Sequence, residues 1–500
     1  MKKKVVIIGS GLGGLSSGVI LAKNGYEVKI LEQGVQTGGC LQCFSRRGVK
    51  FETGMHFIGS ADEGQILHKM LRFLEIDDKL SLARLATDCY NVVSLGGQSF
   101  HFANGREAFI QQMSGYFPKQ TDNLNKYFDI IESISAASAL HTLKYGETNN
   151  VVNTEYQLRS IDDVLESVIT DPLLQKVLVG DLSLYAAERG KTPFAIHAFI
   201  RDFYNQSAFR FVGGSDAVAK ALVEVIGRYG GEVRTQSKVT RIVCNTVNAI
   251  GVEINGEELL KADYVISTTH PIRTMEMLSD TNLIRPVFRN RIYNIPQTIG
   301  GFSVYLHFKE ESVSYMNYNF FGYNTNTPWE CEQYDETTWP KGYLYMHICD
   351  TLRQQYARAG VILSYMKAEE FEQWKDTMIG HRGADYEQFV RKRALCLIES
   401  LDKQFPGIKD CVAHFYVSSP LTYCDYTGTE GGSIYGVARD ITLGAAGRVP
   451  YKTQIPNVFM AGQNVNSHGM LGVIVGSIVT CGELLTPEYL YEQILEANLF

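Results

Sequence analysis

The sequence is poor in the patterns that would mark a metal protein, a disordered chain or a nucleic-acid binder. Of its ten cysteines only Cys40 and Cys43 lie close together in the sequence, and neither a second pair nor histidines lie nearby. No metal site is therefore predicted. Only 13 of the 500 residues are proline and no low-complexity tract occurs, which argues against long disorder. The formal net charge of −7 argues against nucleic-acid binding through broad positive charge.

Long uninterrupted hydrophobic runs are also absent. The apolar stretch from Met470 to Leu485 has 16 residues and three glycines, which is too short to span a bilayer comfortably. Lys2, Lys3 and Lys4 precede an apolar run as in a signal peptide, but glycines interrupt that run. We therefore predict a cytoplasmic protein with no signal peptide and no transmembrane helix. Peripheral contact with the inner face of a membrane stays open.

What the sequence does have is a dinucleotide-binding pattern at its amino end. The β-branched run from Lys4 to Ile8 predicts a buried parallel strand. It leads into Gly9-Ser10-Gly11-Leu12-Gly13-Gly14, which contains the pattern G-x-G-x-x-G, and a helical pattern and a second strand ending at Glu32 follow. A strand, a turn, a helix and a second strand in this order form the β-α-β unit that binds a dinucleotide.

Each part of this pattern has a physical role in binding a dinucleotide. Gly9 permits the tight turn, Gly11 lets the backbone approach the pyrophosphate, and Gly14 lets the helix pack close to the strand. Glu32 is placed to accept hydrogen bonds from an adenosine ribose. A second glycine pair, Gly38-Gly39, lets another loop reach the pyrophosphate and the flavin end.

The segment from Leu31 to Cys40 resembles the FAD-binding entry of the phytoene desaturase superfamily. The resemblance continues through the segments 48–59 and 194–215, where it is strongest to the retinol saturase branch and nearly as strong to the carotenoid isomerases. Ala461-Gly462-Gln463-Asn464 and Gly469 to Gly472 resemble the glycine segment of the retinol saturases. The sequence departs from the family at Asn464, where an acid is usual.

The resemblance implies FAD as the cofactor. No second G-x-G-x-x-G occurs, so NAD(P)H stays open as an electron donor without a dedicated domain, and the donor itself is unknown. The last helix is predicted to begin near Gly469 and to point its N–H groups at the flavin pyrimidine. The implied FAD-binding residues are Gly9, Ser10, Gly11, Gly13, Gly14, Glu32, Gln33, Gly38, Gly39, Val239, Gly462, Gln463, Asn464, Gly469, Met470 and Leu471.

Saturating a carbon–carbon double bond requires a proton donor as well as a hydride donor. His56 and His197 are candidate proton donors because each lies in a block that matches the family, and Tyr435 is a third candidate. Each histidine has an ordinary alternative as a hydrogen-bonded structural residue. Glu52, close to His56, is interpreted as satisfying buried backbone.

The predicted fold class is α/β: a discontinuous Rossmann-like FAD-binding domain with an inserted α+β substrate domain that contains an antiparallel sheet. Ten aromatic residues between Tyr315 and Tyr345 are either ordinary strand residues of that sheet or the lining of a tunnel for an elongated apolar substrate. The predicted FAD-binding domain comprises residues 1–61, 199–271 and 421–500, and the substrate domain comprises 62–198, mainly helical, and 272–420, an aromatic-rich sheet.

The function that the resemblance implies is FAD-dependent reduction of a C=C bond by hydride transfer from flavin N5. The predicted substrate is a retinoid-like, carotenoid-like or other polyene or isoprenoid lipid. The same fold and site also suit redox-neutral cis–trans isomerisation of a carotenoid, or desaturation. A different class, a non-catalytic prenyl-lipid carrier of the GDP-dissociation-inhibitor type, is disfavoured by the intact glycine set. An amine oxidase is disfavoured because Cys40 stands where that group usually has arginine.

Overall fold

The computed structural model describes residues 2–138 and 150–499. In chain order, the strands are β1 (Lys4–Ile8), β2 (Glu27–Leu31), β3 (Cys43–Arg46), β4 (Val49–Glu52), β5 (Ile58–Gly59), β6 (Leu82–Arg84), β7 (Asn91–Leu95), β8 (Gln98–Phe102), β9 (Ala208–Phe211), β10 (Glu232–Arg234), β11 (Val239–Cys244), β12 (Ala249–Ile254), β13 (Glu258–Lys261), β14 (Tyr264–Ser267), β15 (Gly300–Phe308), β16 (Asn319–Tyr323), β17 (Gly342–His347), β18 (Ala359–Met366), β19 (Val412–Ser418) and β20 (Val458–Met460). The helices are α1 (Leu12–Lys23), α2 (Ile66–Phe73), α3 (Arg106–Tyr116), α4 (Thr121–Ala136), α5 (Asn150–Leu158), α6 (Ile161–Val168), α7 (Pro172–Leu178), α8 (Phe194–Gln206), α9 (Asp216–Arg228), α10 (Pro271–Met277), α11 (Pro286–Tyr293), α12 (Ala384–Gln404), α13 (Ile408–Cys411), α14 (Pro420–Thr427), α15 (Gly469–Leu485) and α16 (Pro487–Glu496).

A five-stranded parallel sheet brings together strands that lie far apart in the chain. Its strand order is β10-β2-β1-β14-β20, and β1 pairs in parallel with both β2 and β14. The predicted discontinuous Rossmann-like fold is therefore confirmed. All five strands come from the residue ranges predicted for the FAD-binding domain, while the domain boundaries themselves stay a prediction.

Helix α1 lies at the centre of this half of the molecule. It is buried from Leu12 to Ala22 between the sheet, α9 and α15. Small residues make that packing possible: a Cβ at Gly18 would lie 2.6 Å from Ile30 Cδ1. The hydroxyl of Ser477 on α15 donates to the carbonyl oxygen of Gly13, 3.1 Å away. The first and the last long helices of the unit are thus held together.

A seven-stranded mixed sheet forms the second half, in the order β19-β15-β18-β17-β16-β7-β8. Neighbouring strands are antiparallel except β16 and β7, which are parallel. This confirms the predicted antiparallel sheet. Strands β7 and β8 fall in the range 62–198 that was predicted to be mainly helical. All of β7 is buried between β16 and β8, whereas β8 at the edge of the sheet buries only Phe100 and Phe102.

Aromatic side chains of β16 and β17 form one hydrophobic core with α12 and the segment that follows it. Phe320 and Tyr345 both contact Phe405, with ring centroids 4.9 and 5.5 Å apart. These residues belong to the core cluster that also contains Leu397 and Leu401 of α12. The interpretation of the aromatic band as sheet residues therefore holds for the five members that lie in β16 and β17, while the other five lie outside the strands.

Within the described ranges, no helix combines the length and the apolar character needed to cross a bilayer.

Candidate active site

The turn between β1 and α1 needs glycine for two different reasons. Gly9 has a φ of +97°, and a Cβ at Gly14 would lie 2.0 Å from the carbonyl oxygen of Gly9. Both positions are therefore closed to larger residues by the chain itself. A Cβ at Gly11 would meet nothing within 4 Å, so this glycine faces open space. The sequence gives α1 no acidic side chain in its first turn, which suits its amino end to an anion.

Glu32 is fixed at the end of β2 beside this turn. Its Oε2 accepts hydrogen bonds from the N–H of Ser10 at 3.0 Å and from the hydroxyl of Ser10 at 2.6 Å. Its Oε1 accepts from the N–H of Gly34 at 2.8 Å. The carboxylate is thus held where the β-α-β unit places a ribose. Gln33 is exposed next to it, and Val239 is buried at the start of β11.

The second glycine pair packs directly on the first turn. The N–H of Gly38 donates to the carbonyl oxygen of Ser10 at 2.9 Å, and a Cβ at Gly39 would lie 3.0 Å from Gly11 Cα. Gly38 and Gly39 have φ values of +117° and +55°. Two backbone loops and a helix amino end therefore meet at one open place, and these residues fit the pyrophosphate of a dinucleotide.

The carboxyl-terminal segment closes the same region. A Cβ at Gly13 would lie 2.9 Å from Gly462 Cα, which brings the turn after β20 against α1. Helix α15 then begins at Gly469, as predicted, and none of the described side chains caps its amino end. Gly469, Met470 and Leu471 line a cavity together with Gln463. The uncapped N–H groups give this end of the cavity a partial positive charge.

Asn464, also predicted to bind the cofactor, does not belong to the described lining of this cavity. Its Oδ1 accepts a hydrogen bond from the N–H of Val437 at 3.0 Å. A Cβ at Gly436 would lie 1.9 Å from that oxygen. Asn464 therefore positions the segment around Val437, and its side chain faces away from the place where we expected a cofactor contact.

The cavity has a volume of about 570 Å³, within the range of small-molecule sites. It runs from the amino end of α15 to helix α8, and most of its lining is apolar. The hydrophobic side chains that line it include Met55, Phe57, Ile58, Leu184, Ile196, Phe199, Ile200, Phe203, Tyr204, Leu344, Leu363, Ile434 and Val475. Such a cavity suits an elongated apolar ligand.

Helix α8 supplies the largest group of these side chains. Ile196, Phe199, Ile200, Phe203 and Tyr204 recur at the three- and four-residue spacing that places them on one face. The opposite face is fixed by Arg201, which is 2% exposed and bonds Asp181 Oδ1 at 3.0 Å. Sequence reasoning missed this face, although its helical spacing was a signal that could have found it.

The aromatic band between Tyr315 and Tyr345 does not form a tunnel. None of its ten aromatic side chains is among the described residues that line the cavity. Leu344 of β17 lines it instead, between Tyr343 and Tyr345. Successive residues of a strand point to opposite faces, so the two tyrosines are directed away into the core against α12. The tunnel interpretation was wrong for these residues.

His56 lines the cavity and is paired with a buried acid behind it. The imidazole Nδ1 lies 3.6 Å from Glu52 Oε2, and both side chains are almost fully buried. Glu52 Oε1 accepts from the N–H of Ser215 at 3.0 Å, as expected for a residue that satisfies backbone. Burial raises the pKa of the Glu52 carboxyl, while the hydrogen-bonding and charge of His56 oppose that rise. The pair places an ionisable group at the cavity surface.

His197 lies elsewhere. It is 1% exposed and is not among the described lining residues of the cavity. Its Nε2 lies 2.7 Å from the hydroxyl of Tyr127 and its Nδ1 lies 2.8 Å from the hydroxyl of Tyr185. Burial lowers the pKa of His197 far below its ordinary value, so the ring stays neutral. His197 thus matches the alternative of a hydrogen-bonded structural residue, because two tyrosines hold its ring on the core side of α8.

Tyr435, the third candidate, lines the cavity but its proton is already engaged. The hydroxyl donates to the carbonyl oxygen of Ser183 at 2.9 Å, and burial raises the pKa of Tyr435. Its ring lies 4.3 Å from the ring of His468, centroid to centroid. His468 is partly exposed, and the space that it faces is the cavity. Desolvation in the cavity and the nearby Arg439 lower the pKa of His468 to about 3. The two rings form one neutral side of the site.

Comparison with known proteins agrees with this geometry. The sequence profile of the family described as "Flavin containing amine oxidoreductase" matches residues 12–480. The chain belongs to this family. It is therefore a flavin-dependent oxidoreductase, and the FAD cofactor implied by the family resemblance is confirmed.

Two similar proteins are named for retinol and for 4,4'-diaponeurosporene. All-trans-retinol 13,14-reductase of Rattus norvegicus is 27% identical over 99% of this chain and 87% of its own length. The 4,4'-diaponeurosporene oxygenase of Staphylococcus aureus is 22% identical over 95% of this chain and 96% of its own. The resemblance to the phytoene desaturase and retinol saturase superfamily is confirmed by these matches.

The fold is also that of solved flavin-family structures. An oxidoreductase of Methanosarcina mazei superposes with a TM-score of 0.64 over 95% of this chain and 99% of its own, at 16% identity. At that identity the likeness concerns the fold alone.

The thiol of Cys40 lies at the edge of the cavity. Cys40 lines it directly after the Gly38-Gly39 pair, and burial raises the pKa of its thiol. Cys43 is buried nearby, where its Sγ lies 3.8 Å from the Ser215 hydroxyl and desolvation raises the thiol pKa to about 11. Both cysteines are free; Cys43 is buried in an ordinary packing role, whereas Cys40 is exposed at the cavity.

Proposed function

We propose that this flavoenzyme reduces a carbon–carbon double bond of a polyene or isoprenoid lipid, with a retinoid-like molecule as the leading substrate. The observation that carries the proposal is the apolar cavity that joins the amino end of α15 to the cavity face of α8 and includes His56. The similarity to a retinol 13,14-reductase over 99% of the chain supports the choice of a retinoid C=C bond.

The residues that would hold FAD belong to the two ends of the chain. Gly11, Gly38 and the amino end of α1 would hold the pyrophosphate, and Glu32 the ribose. The amino end of α15 at Gly469 would favour negative charge on the flavin pyrimidine. When bound, FAD supplies the two-electron chemistry that a C=C reduction needs. Electrons reach it from NAD(P)H or another donor without a second nucleotide-binding domain.

His56 is the proton donor in this proposal. It is the member of the Glu52–His56 pair that lines the cavity, so a proton held at its ring has access to a bound substrate. Glu52 lies behind it and is anchored by the N–H of Ser215, which fixes the carboxylate toward the imidazole. Tyr435 is the weaker candidate because its hydroxyl already donates to a backbone carbonyl.

A second candidate reaction on the same site is cis–trans isomerisation or desaturation of a carotenoid. The similarity to a diaponeurosporene oxygenase supports a carotenoid-like ligand.

One anaerobic assay separates these functions. The FAD-loaded protein, reduced with excess dithionite, is incubated with all-trans-retinol or with a carotenoid, and the products are weighed by mass spectrometry. We expect retinol to gain two hydrogens. An unchanged mass with altered absorption would instead identify an isomerase. In a parallel incubation with oxidised enzyme, a loss of two hydrogens would identify a desaturase. Purified protein that is colourless and binds no FAD would support the prenyl-lipid carrier.

The proton donor has its own test. We expect His56→Gln to lower kcat by about 100- to 10,000-fold while FAD stays bound, since general-acid groups contribute that much. His68→Gln is the matched control, because His68 on α2 is outside the described cavity lining. Equal activity of His56→Gln and His68→Gln would assign the proton to another group.

We also propose peripheral contact with a membrane and a cytoplasmic location. Leu158 lines the cavity on α5 and is 59% exposed, and the nearby segment at Leu443 is also apolar and exposed. Co-sedimentation with phosphatidylglycerol vesicles should be weaker for Leu158→Ser than for the unchanged protein. Equal sedimentation would remove this support.

A further inference from the structure

Two arginines line the mostly apolar cavity. Arg439 and Arg448 both belong to the segment between Val437 and Pro450. The guanidinium of Arg439 donates to the carbonyl oxygens of Asn466 at 2.7 Å and of Asn464 at 3.4 Å. Desolvation and the neighbouring Arg448 lower the pKa of Arg439 to about 10, and no acid among the described residues opposes them. Arg439 is thus a charged group with neutral hydrogen-bond partners.

The other charged groups at the cavity do not neutralise these arginines. Asp440 lines the same part, but its Oδ1 is directed to the N–H and the hydroxyl of Thr442 at 2.8 and 2.6 Å, and among the described residues it forms no salt bridge with either arginine. Arg448 is exposed and reaches Gln157 Oε1 at 3.3 Å. Glu52 lies behind His56 and is outside the described lining. A desolvated cation without a counter-charge is unfavourable, so this part of the cavity is suited to an anion.

The phosphates of the dinucleotide do not provide that anion. Gly9 to Gly14 and Gly38-Gly39 form the phosphate-binding loops, and none of these residues belongs to the described lining of the cavity. An anion bound at Arg439 would therefore be part of a molecule that enters the cavity itself.

We propose that the substrate is an unsaturated lipid with a terminal anion, a carboxylate or a phosphate, which Arg439 binds while Arg448 attracts it at the exposed side. This inference deepens the proposed function and rests on it. The planar guanidinium matches both anions with two parallel hydrogen bonds. The apolar chain would then lie along the cavity face of α8, from Ile196 to Tyr204.

The test compares lipids that differ only in the charge of their end. All-trans-retinoic acid, methyl retinoate and all-trans-retinol are titrated into the FAD-loaded protein and then assayed as substrates; geranylgeranyl phosphate and geranylgeraniol form a second set. We expect each anion to bind about 10- to 100-fold more tightly than its uncharged counterpart, as for a charge-assisted hydrogen-bonded pair. The larger preference, in the acid set or the phosphate set, identifies the anion.

Variants then assign the preference to Arg439. Arg439→Gln should remove the difference between acid and ester, and Arg439→Lys should keep part of it. Arg289→Gln is the matched control, because Arg289 also donates to two backbone carbonyls, of Met275 and Leu278, and lies outside the described cavity lining. It should leave the difference unchanged.

Three results would overturn the inference. The first is an ester that binds the unchanged protein as tightly as the acid does. The second is an Arg439→Gln variant that binds both more weakly by the same factor, which would mean that Arg439 only supports the loop at Asn464 and Asn466. The third is an Arg439→Gln variant with a changed flavin spectrum and an unchanged acid–ester difference. Reduction of retinol and ester without any preference would leave the proposed function standing. Arg439-dependent binding of the acid without reduction of any probe would refute the proposed reaction alone.

Discussion

The phosphate-binding end of the molecule and the lipid cavity are built by opposite means. The first uses backbone. Within 31 consecutive positions, the glycines from Gly9 to Gly39 form a tight turn and an open space where two loops and the amino end of α1 meet. The second uses side chains from segments near residues 55, 200, 344, 435 and 470. A site made of backbone tolerates few residue types, whereas a site made of apolar side chains tolerates many that keep its volume.

The largest effect should come from a methyl group inside the backbone site. Gly14→Ala places a Cβ 2.0 Å from the carbonyl oxygen of Gly9, so β1 and α1 cannot keep their contact. We expect the variant to lose soluble expression or its cooperative thermal unfolding. Gly227→Ala, on the exposed side of α9 where a Cβ meets nothing within 4 Å, should be neutral or slightly stabilising. A fully folded Gly14→Ala protein would contradict the account of the turn.

Gly11→Ala separates binding from folding. A Cβ at Gly11 meets no atom of the protein, so the fold should persist, but the methyl group occupies the place where a pyrophosphate approaches the backbone. We expect thermal unfolding of the apo-protein to be unchanged. FAD affinity should fall by about 10-fold or more, which corresponds to the loss of at least one good polar contact. Titration of apo-protein with FAD measures it. Unchanged affinity would place the phosphates elsewhere.

Filling the cavity should change selectivity, with little effect on FAD. Ile200→Trp adds volume on the cavity face of α8, so turnover of a long polyene should fall about 10-fold relative to a shorter one. Gln206→Trp carries the same side chain on the exposed end of that helix and serves as the control. The ratio of kcat/KM for the two lipids is the measurement. An equal ratio in both variants would show that this face does not bind the substrate chain.

The smallest effect concerns acid stability in the sheet half. His347 accepts from the N–H of Met316 at 2.9 Å, and burial lowers its pKa to about 3, below the ordinary 6.5. A histidine whose pKa falls on folding contributes stability that is present above pH 6.5 and is lost as the pH falls from there toward 3. We expect His347→Asn to lose about 1–2 kcal/mol less between pH 7 and pH 5 than the unchanged protein.

Urea unfolding at the two pH values measures this difference. His101→Asn, at an exposed position of β8, is the control and should behave as the unchanged protein does. An identical pH dependence in His347→Asn would mean that His347 does not take up its proton on unfolding in this range.

Sequence reasoning succeeded where the determinants are local. The β1–α1–β2 unit depends on glycines, β-branched runs and a terminal acid that stand next to each other, so both its existence and the role of each glycine were readable. The start of α15 at Gly469 was readable for the same reason, because a turn and a glycine precede a long apolar helix.

It failed where partners come from distant segments. His197 contacts Tyr127 and Tyr185, and neither contact is marked by any spacing in the sequence. A lone histidine in a family-like block looks the same whether it faces a cavity, as His56 does, or a core. The side of the sheet on which Leu344 lies was likewise undecidable, because both faces of β17 are buried and its residues do not alternate in polarity.

The contact between Gly13 and the last long helix has a consequence for synthesis in the cell. Residues 4–31 are translated more than 400 residues before the strand and helix that cover them, β20 and α15. Throughout that interval the apolar surface of α1 is unprotected and attractive to chaperones. A stop codon in place of Gly469, which removes α15 and all residues after it, should therefore yield an insoluble product, although it leaves the glycines from Gly9 to Gly39 intact.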